Sequence, residues 1–145
     1  MMDRSSGFDG TQDSHRRKRA AILPGAVLDE WIVETLSGTD VPLSAYTIAD
    51  HLRDKGRTGN VMAVYRSLDR LARRAVVERV ESLSAYRLRT ATQAVLMACS
   101  HCGTTTPLPI LDEFRSIEQA VRSAGFALDR LALEAVGICE QCRRD

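Results

Sequence analysis

Four cysteines in two closely spaced pairs are the feature of this 145-residue chain that most restricts how it can fold. Cys99 and Cys102 form one pair, Cys139 and Cys142 form the other, and thirty-six residues separate the pairs. A Cys-x-x-Cys turn presents two thiolates to one side of a metal, and two such turns complete the tetrahedron that zinc prefers. The pattern predicts one structural Zn²⁺ per chain, closed to water. Free thiols or a redox-active pair are the alternatives.

The expected compartment agrees with zinc rather than disulfides. No apolar run approaches the roughly 18 residues that a membrane helix requires, and residues 1–20 lack the apolar segment of a secretory signal. We therefore expect a cytoplasmic protein with no membrane partner. Thiols stay reduced in that compartment, so paired cysteines are available to bind metal.

Apolar stripes at helical spacing predict three helices in the first part of the chain. The first covers about residues 25–37, the second starts at the N-cap Ser44 and stops at Gly56, and the third follows Asn60. Short β-like runs at 76–80 and 85–88 then predict a hairpin. Three helices followed by a hairpin is the layout of a winged helix-turn-helix.

The rest of the chain predicts a small α/β unit with a cysteine pair towards each end. We expect a strand over 93–98, a helix with Pro109 in its first turn, and one or two strands within 126–138. The whole is an α+β chain with a polar, basic tail (1–19), a winged-helix domain (20–89) and a zinc-bearing domain (90–145). The basic run 15–19 in the tail suits either a contact with DNA or a solvated arm.

Positive charge is concentrated where the winged helix is predicted. Residues 15–90 hold fourteen Lys and Arg against nine Asp and Glu, a net charge of +5, whereas residues 1–14 and 91–145 each carry −2. Such a segment is typical of a phosphate-binding face, with chance segregation as the alternative. The third helix carries its arginines opposite its apolar stripe, as a DNA-reading helix requires, although an ordinary amphipathic surface helix has the same pattern. The candidate DNA-binding residues are Asn60, Met62, Ala63, Tyr65, Arg66 and Arg70.

Signatures of an enzyme are missing from the sequence. It has no paired-carboxylate motif, no glycine-rich phosphate loop and no nucleophile signature. The βαβ context of a thioredoxin-type cysteine pair is also absent. We therefore expect a binding protein that is not an enzyme and has no small-molecule substrate.

Two segments of the predicted winged helix carry a family likeness. Leu43-Ser44-Ala45-Tyr46 begins the second helix, and Ala63-Val64-Tyr65-Arg66-Ser67-Leu68 lies in the third. With the cysteine pairs and Gly103, they resemble the ferric uptake regulator (Fur) family over about residues 20–145. Segment 79–86 is similar to the hairpin of the zinc uptake regulator (Zur) branch. The resemblance implies a homodimer that binds an inverted-repeat operator in double-stranded DNA, represses metal-homeostasis genes and uses its C-terminal domain to dimerise.

The chain departs from the family pattern at the residues that usually bind the sensed metal. Family members usually sense metal through a His-rich segment before the first cysteine pair and a His ahead of the second helix. Here residues 87–94 contain neither His nor Cys, and Pro42 stands ahead of Leu43. Glu81 is the one remaining candidate ligand, and His51 is predicted on a helix surface. The ordinary sensory site is therefore expected to be lost, which favours a constitutive DNA-binding repressor. A thiol-responsive regulator and a degenerate member that acts mainly through dimerisation are the alternatives.

Overall fold

The computed structural model describes residues 24–144. Three helices come first: α1 (Gly25–Ser37), α2 (Ala45–Asp54) and α3 (Val61–Arg73). The hairpin β1 (Val77–Val80) and β2 (Ala85–Leu88) follows, joined by a 3₁₀ turn (Glu81–Leu83). The helices and the hairpin predicted from the apolar stripes and caps are thereby confirmed. The predicted tail, residues 1–19, lies outside the described residues.

Side chains at the helix starts explain why α2 and α3 begin where they do. The Ser44 hydroxyl accepts a hydrogen bond from the Thr47 N–H at 3.0 Å, and Asn60 Oδ1 accepts one from the Met62 N–H at 2.8 Å. Between the two helices, a Cβ on Gly59 would lie 2.7 Å from the Ala49 carbonyl oxygen. Glycine is therefore required where the turn passes close against α2.

One apolar core holds the three helices and the hairpin together. Its side chains come from one face of each helix and from the inner face of the hairpin. The fully buried large residues of the N-terminal half (24–88) are Ile32, Ile48, Leu52, Val64, Leu68, Val77 and Val80. Leu43 also pairs with Tyr86 through backbone hydrogen bonds of 2.9 and 2.8 Å, which fixes the hairpin to the segment before α2.

The C-terminal half is a three-stranded sheet with two helices. Its elements are β3 (Ala94–Cys99), β4 (Thr105–Pro109), α4 (Leu111–Ser123), β5 (Leu133–Gly137) and α5 (Glu140–Arg144). The strand order is β4-β3-β5, with β3 antiparallel to β4 and parallel to β5. The predicted α+β class is confirmed. The predicted domain limits, including the division at residues 89 and 90, stay a prediction.

Three details of the predicted C-terminal half are corrected. Pro109 ends β4 rather than opening a helix, and α4 begins at Leu111. Strand β4 was not predicted, because Pro107 and Pro109 disfavour a strand; its position at a sheet edge tolerates them. Helix α5 was also not predicted. Within residues 24–144, no helix has the length and apolar character needed to cross a membrane.

Candidate metal centre and DNA-reading face

The structure brings the four cysteine sulfurs into one cluster, in which all of them lie within 4.8 Å of one another. The Cys102 and Cys139 sulfurs are 3.8 Å apart. A tetrahedral zinc with bonds of about 2.3 Å places its sulfur ligands about 3.8 Å apart. The cluster therefore has the size of a four-thiolate zinc site. Among residues 24–144, it is the one group of three or more metal-ligating side chains gathered closely enough to hold an ion.

The sheet positions these cysteines from both directions of the chain. Cys99 ends β3 and lies in register with Gly137 at the end of the parallel strand β5. The carboxyl ends of both strands therefore lie side by side. After Cys99 the chain turns back through Gly103, whose φ of +75° suits glycine. The Cys139 N–H donates to Cys99 Sγ at 3.3 Å. Parallel pairing thus joins two motifs that lie far apart in sequence.

The pKa values of two of the clustered thiols are shifted in opposite directions. Hydrogen bonds from the backbone at Cys102 and Cys139 lower the pKa of Cys99 to about 6. In contrast, the hydrogen bond with the Cys139 thiol and then burial raise the pKa of Cys142 to about 12. Four thiolates so close together need a positive charge between them, because each ionised sulfur disfavours ionisation of the next. A dication with soft-ligand affinity supplies that charge, and the residues present fit zinc.

The outer face of α3 is exposed at its N-terminal end. The Met62 side chain is 61% exposed, Arg66 is exposed, and Tyr65 and Ala63 are half-buried. The Asn60 side chain caps the helix, which engages its oxygen within the protein. Five of the six residues predicted to bind DNA are therefore at or beside this face.

Arg70, the sixth candidate, forms hydrogen bonds with other residues of the protein. One of its guanidinium nitrogens donates to Asp29 Oδ1 and to Ser67 Oγ, both at 2.7 Å. Asp29 belongs to α1 and is buried. The structure thus places Arg70 in a contact that holds α1 and α3 together.

Sequence reasoning missed a second aromatic residue beside this face. Tyr46, in the first turn of α2, is 63% exposed, and its ring meets that of Tyr65 edge-on with centroids 6.4 Å apart. A tyrosine two residues after the Ser44 cap was the signal, because the apolar stripe of α2 does not use that position.

Glu81, the remaining candidate for a sensory ligand, is paired with basic residues. Its carboxylate lies 3.3 Å from Arg79 Nε and 3.7 Å from an Arg130 nitrogen. His51 is exposed on α2. Among residues 24–144, Glu81 belongs to no group of three or more metal-ligating side chains.

Comparisons with known proteins agree with the fold. The ferric uptake regulator family profile matches residues 30–136. The zinc uptake regulation protein of Escherichia coli (strain K12) is 30% identical over 117 residues, which cover 77% of this chain and 68% of that protein. A zinc uptake regulator complexed with zinc and DNA superposes with a TM-score of 0.73 at 26% identity, over 81% of each chain. Holo XcZur superposes with a TM-score of 0.72 at 23% identity, over 81% of this chain and 85% of that one.

The family profile spans about three quarters of the sequence and includes α2, α3, the hairpin and the first cysteine pair. The likeness to the Fur family and its Zur branch, inferred from the motifs, is thereby confirmed. The expectation of a regulator rather than an enzyme is confirmed with it. The chain belongs to the ferric uptake regulator family, whose members regulate transcription.

Proposed function

We propose that the protein is a homodimeric DNA-binding repressor of the Fur and Zur type, with one structural zinc per chain. The exposed face of α3 is the observation that carries this proposal. Met62 and Arg66 project from a helix that its scaffold holds firmly, which is the arrangement that major-groove reading requires. The protein related by fold at a TM-score of 0.73 was solved with DNA.

The contacts to DNA are assigned by exposure. Arg66 is the charged residue of the set that its own fold leaves accessible, so it is proposed to reach a guanine edge or a phosphate. Met62 and Ala63 are proposed to meet thymine methyl groups, and Tyr65 with Tyr46 a phosphate. Arg70 is proposed to support α3 rather than to touch DNA, because Asp29 and Ser67 already hold its guanidinium.

The four cysteines are proposed to hold the structural zinc. When bound, the ion neutralises the clustered thiolates and joins the ends of β3 and β5. A thiol-responsive regulator is the second candidate, and it is favoured by the exposure of Cys102 in this cluster. Treatment of the DNA-bound protein with peroxide distinguishes the two candidates. Release of zinc and DNA together, before most of the protein is oxidised, would favour the thiol-responsive regulator over a purely structural metal.

A second copy of the chain is proposed to complete the C-terminal half. Strand β5 is an edge of its sheet, and Met97, Val136 and Ile138 nearby are 40%, 57% and 59% exposed. Helix α4 buries one side chain of its apolar stripe, Phe114. Exposed apolar surface next to an unpaired strand edge is stabilised when an identical edge pairs with it across a two-fold axis.

No metal signal is proposed, because Glu81 is already paired with Arg79 and Arg130. The protein would then occupy its operator constitutively in the cytoplasm. This loss of sensing distinguishes it from the protein solved with both zinc and DNA.

Selection of bound duplexes from a random library tests the proposed function. We expect an inverted repeat with half-sites about one helical turn, or roughly 10 base pairs, apart, as two-fold symmetry requires. Arg66→Ala should reduce the enrichment, whereas Arg122→Ala, which changes an exposed arginine on α4, should preserve it. No enrichment by the wild-type protein would contradict the proposal.

Met97→Asp should give monomers in sedimentation, and an unchanged dimer would contradict the proposed interface.

A further inference from the structure

The 3₁₀ turn of the hairpin touches the C-terminal sheet through one carboxylate. Glu134, in β5, accepts hydrogen bonds from the Glu81 N–H at 2.6 Å and from the Ser82 N–H at 3.0 Å. The two donors are successive backbone groups at the start of a helical turn, where no partner within the turn exists. Burial raises the pKa of Glu134, but hydrogen bonds from the Ser82 side chain and from the backbone at Ser82 and Glu81 together lower it below its ordinary value. The carboxylate thus stays ionised and satisfies both groups at once.

Neighbouring contacts place the same two parts of the chain in one position. Arg130 pairs with the Glu81 carboxylate at 3.7 Å, and Arg87 in β2 donates to Thr105 Oγ1 in β4 at 3.1 Å. Val80 and Leu83 of the hairpin pack in one apolar cluster with Leu96 and Ala98 of β3. The Glu134 contact is therefore the polar centre of a junction between the N-terminal half (24–88) and the C-terminal half (94–144).

The arrangement of the halves resembles a DNA-bound one. The superposition on the zinc uptake regulator complexed with zinc and DNA covers 81% of this chain, which is more than either half contains. Its TM-score of 0.73 therefore includes the placement of one half against the other. Hydrogen bonds, an ion pair and apolar contacts between the two halves make the junction at this placement.

We propose that Glu134 is a positioning residue for DNA binding: its bonds to the hairpin turn lock the two halves in the DNA-competent arrangement without a second metal. Glu134 and the turn Glu81–Leu83 form what we call the Glu134 clasp. The clasp deepens the proposed function and depends on it for its effect on DNA affinity. Its effect on the arrangement of the halves stands independently.

Three variants separate the clasp from general structural damage. Glu134→Gln removes the charge and turns one acceptor into a donor that cannot bond to an N–H. Glu81→Pro removes the N–H that makes the 2.6 Å bond; proline suits the first position of a helical turn, and the preceding Val80 has φ −92° and ψ 102°, which proline accepts. Glu81→Ala is its matched control, because it loses the Arg130 pair but keeps the N–H.

Distances between the halves give a readout that does not require DNA. Spin labels on unnatural amino acids at Arg53 in α2 and Arg115 in α4, both exposed, report the arrangement in zinc-loaded protein diluted with unlabelled chain. We expect a narrow distribution in the wild type and in Glu81→Ala, unchanged by a mild chelator. Glu134→Gln and Glu81→Pro should broaden it, with zinc content and dimer retained.

DNA affinity of the same samples completes the test. Both broadened variants should bind the selected operator about tenfold more weakly, because the competent arrangement becomes a fraction of the population. Wild-type distances retained in Glu134→Gln and Glu81→Pro would overturn the clasp. A wild-type distribution that narrows only when extra zinc is added would overturn it as well. If the distances change as expected but the wild type binds no DNA, the clasp stands and the proposed function fails.

Discussion

The two halves of the chain bury their apolar side chains to different extents. The N-terminal half encloses its own core, with Ile32, Ile48, Leu52 and Leu68 completely buried. The C-terminal half buries little beyond Leu96 and Phe114, while Leu108, Leu111 and Phe126 stay between 47% and 65% exposed. A half without a core of its own needs other sources of stability, which a metal and a partner chain can provide. The N-terminal half is expected to fold without either.

Loss of a zinc ligand should have the largest effect and should separate the halves. Cys99→Ser or Cys142→Ser removes binding worth on the order of 10 kcal/mol, so the C-terminal half should unfold and the dimer dissociate. The fluorescence of Trp31, the single tryptophan, reports the N-terminal half and should keep its native value. Zinc analysis and sedimentation check the result. His101→Ala is the control, because His101 is exposed between two ligands; fully dimeric, metal-free serine variants would refute the structural role.

Damage to the N-terminal core should have the opposite pattern. Ile48→Ala leaves a cavity at a fully buried position, and we expect the free energy of unfolding to fall by about 2–5 kcal/mol. Urea titration followed by Trp31 fluorescence measures this loss. Zinc content and dimer should be unchanged below the transition. Release of zinc at the same urea concentration as the Trp31 transition would show that the halves unfold together. That outcome would contradict the expectation that the N-terminal half folds on its own.

Two arginines on α3 should divide binding from stability. Arg66→Ala should weaken operator binding by about 1–3 kcal/mol and reduce its salt dependence, since an exposed cation is lost. Arg70→Ala leaves the buried Asp29 without its partner and should lower stability by about 1–3 kcal/mol. Anisotropy titrations with operator and urea titrations of both variants check the assignment. The reverse outcome would return Arg70 to the set of DNA contacts.

The smallest effect concerns an exposed ion pair in the N-terminal half. Hydrogen bonds from Arg57 and Lys55 lower the pKa of Glu34 below its ordinary 4.5. Their stabilisation is therefore complete above that value and is lost as pH falls through the lowered pKa. Glu34→Gln should slightly reduce the urea midpoint of the Trp31 signal near neutral pH, and the difference should shrink when the pH is lowered well below 4.5. An equal difference at both pH values would exclude ionisation of Glu34 as its cause.

The comparison of the halves also explains how far sequence reasoning reaches. Helices α1 to α3 were predicted closely, because Ser44 and Asn60 cap α2 and α3 and the apolar stripes of all three helices face one core. Strand β4 escaped prediction, since its prolines are tolerated only at an edge that the rest of the sheet creates. A self-contained core leaves a periodic pattern, and a half completed by zinc and a second chain leaves a weaker one.

Long-range pairing accounts for what the sequence did not reveal about the sites. The cysteine pairs could be joined in advance because zinc chemistry demands four ligands. Arg66 and Arg70 could not be distinguished, since Asp29 lies forty-one residues from Arg70. Glu134 gave no signal at all, because its partners are backbone groups fifty-two and fifty-three residues away.

The central claim is that the DNA-competent arrangement needs the structural zinc and no second metal. Zinc per chain, measured before and after a mild chelator with operator affinity assayed on both samples, tests it most directly. We expect one tightly held zinc per chain and an operator affinity that the chelator leaves unchanged. A second, removable zinc that controls operator binding would contradict it and would make Glu81 and His51 the first ligands to examine.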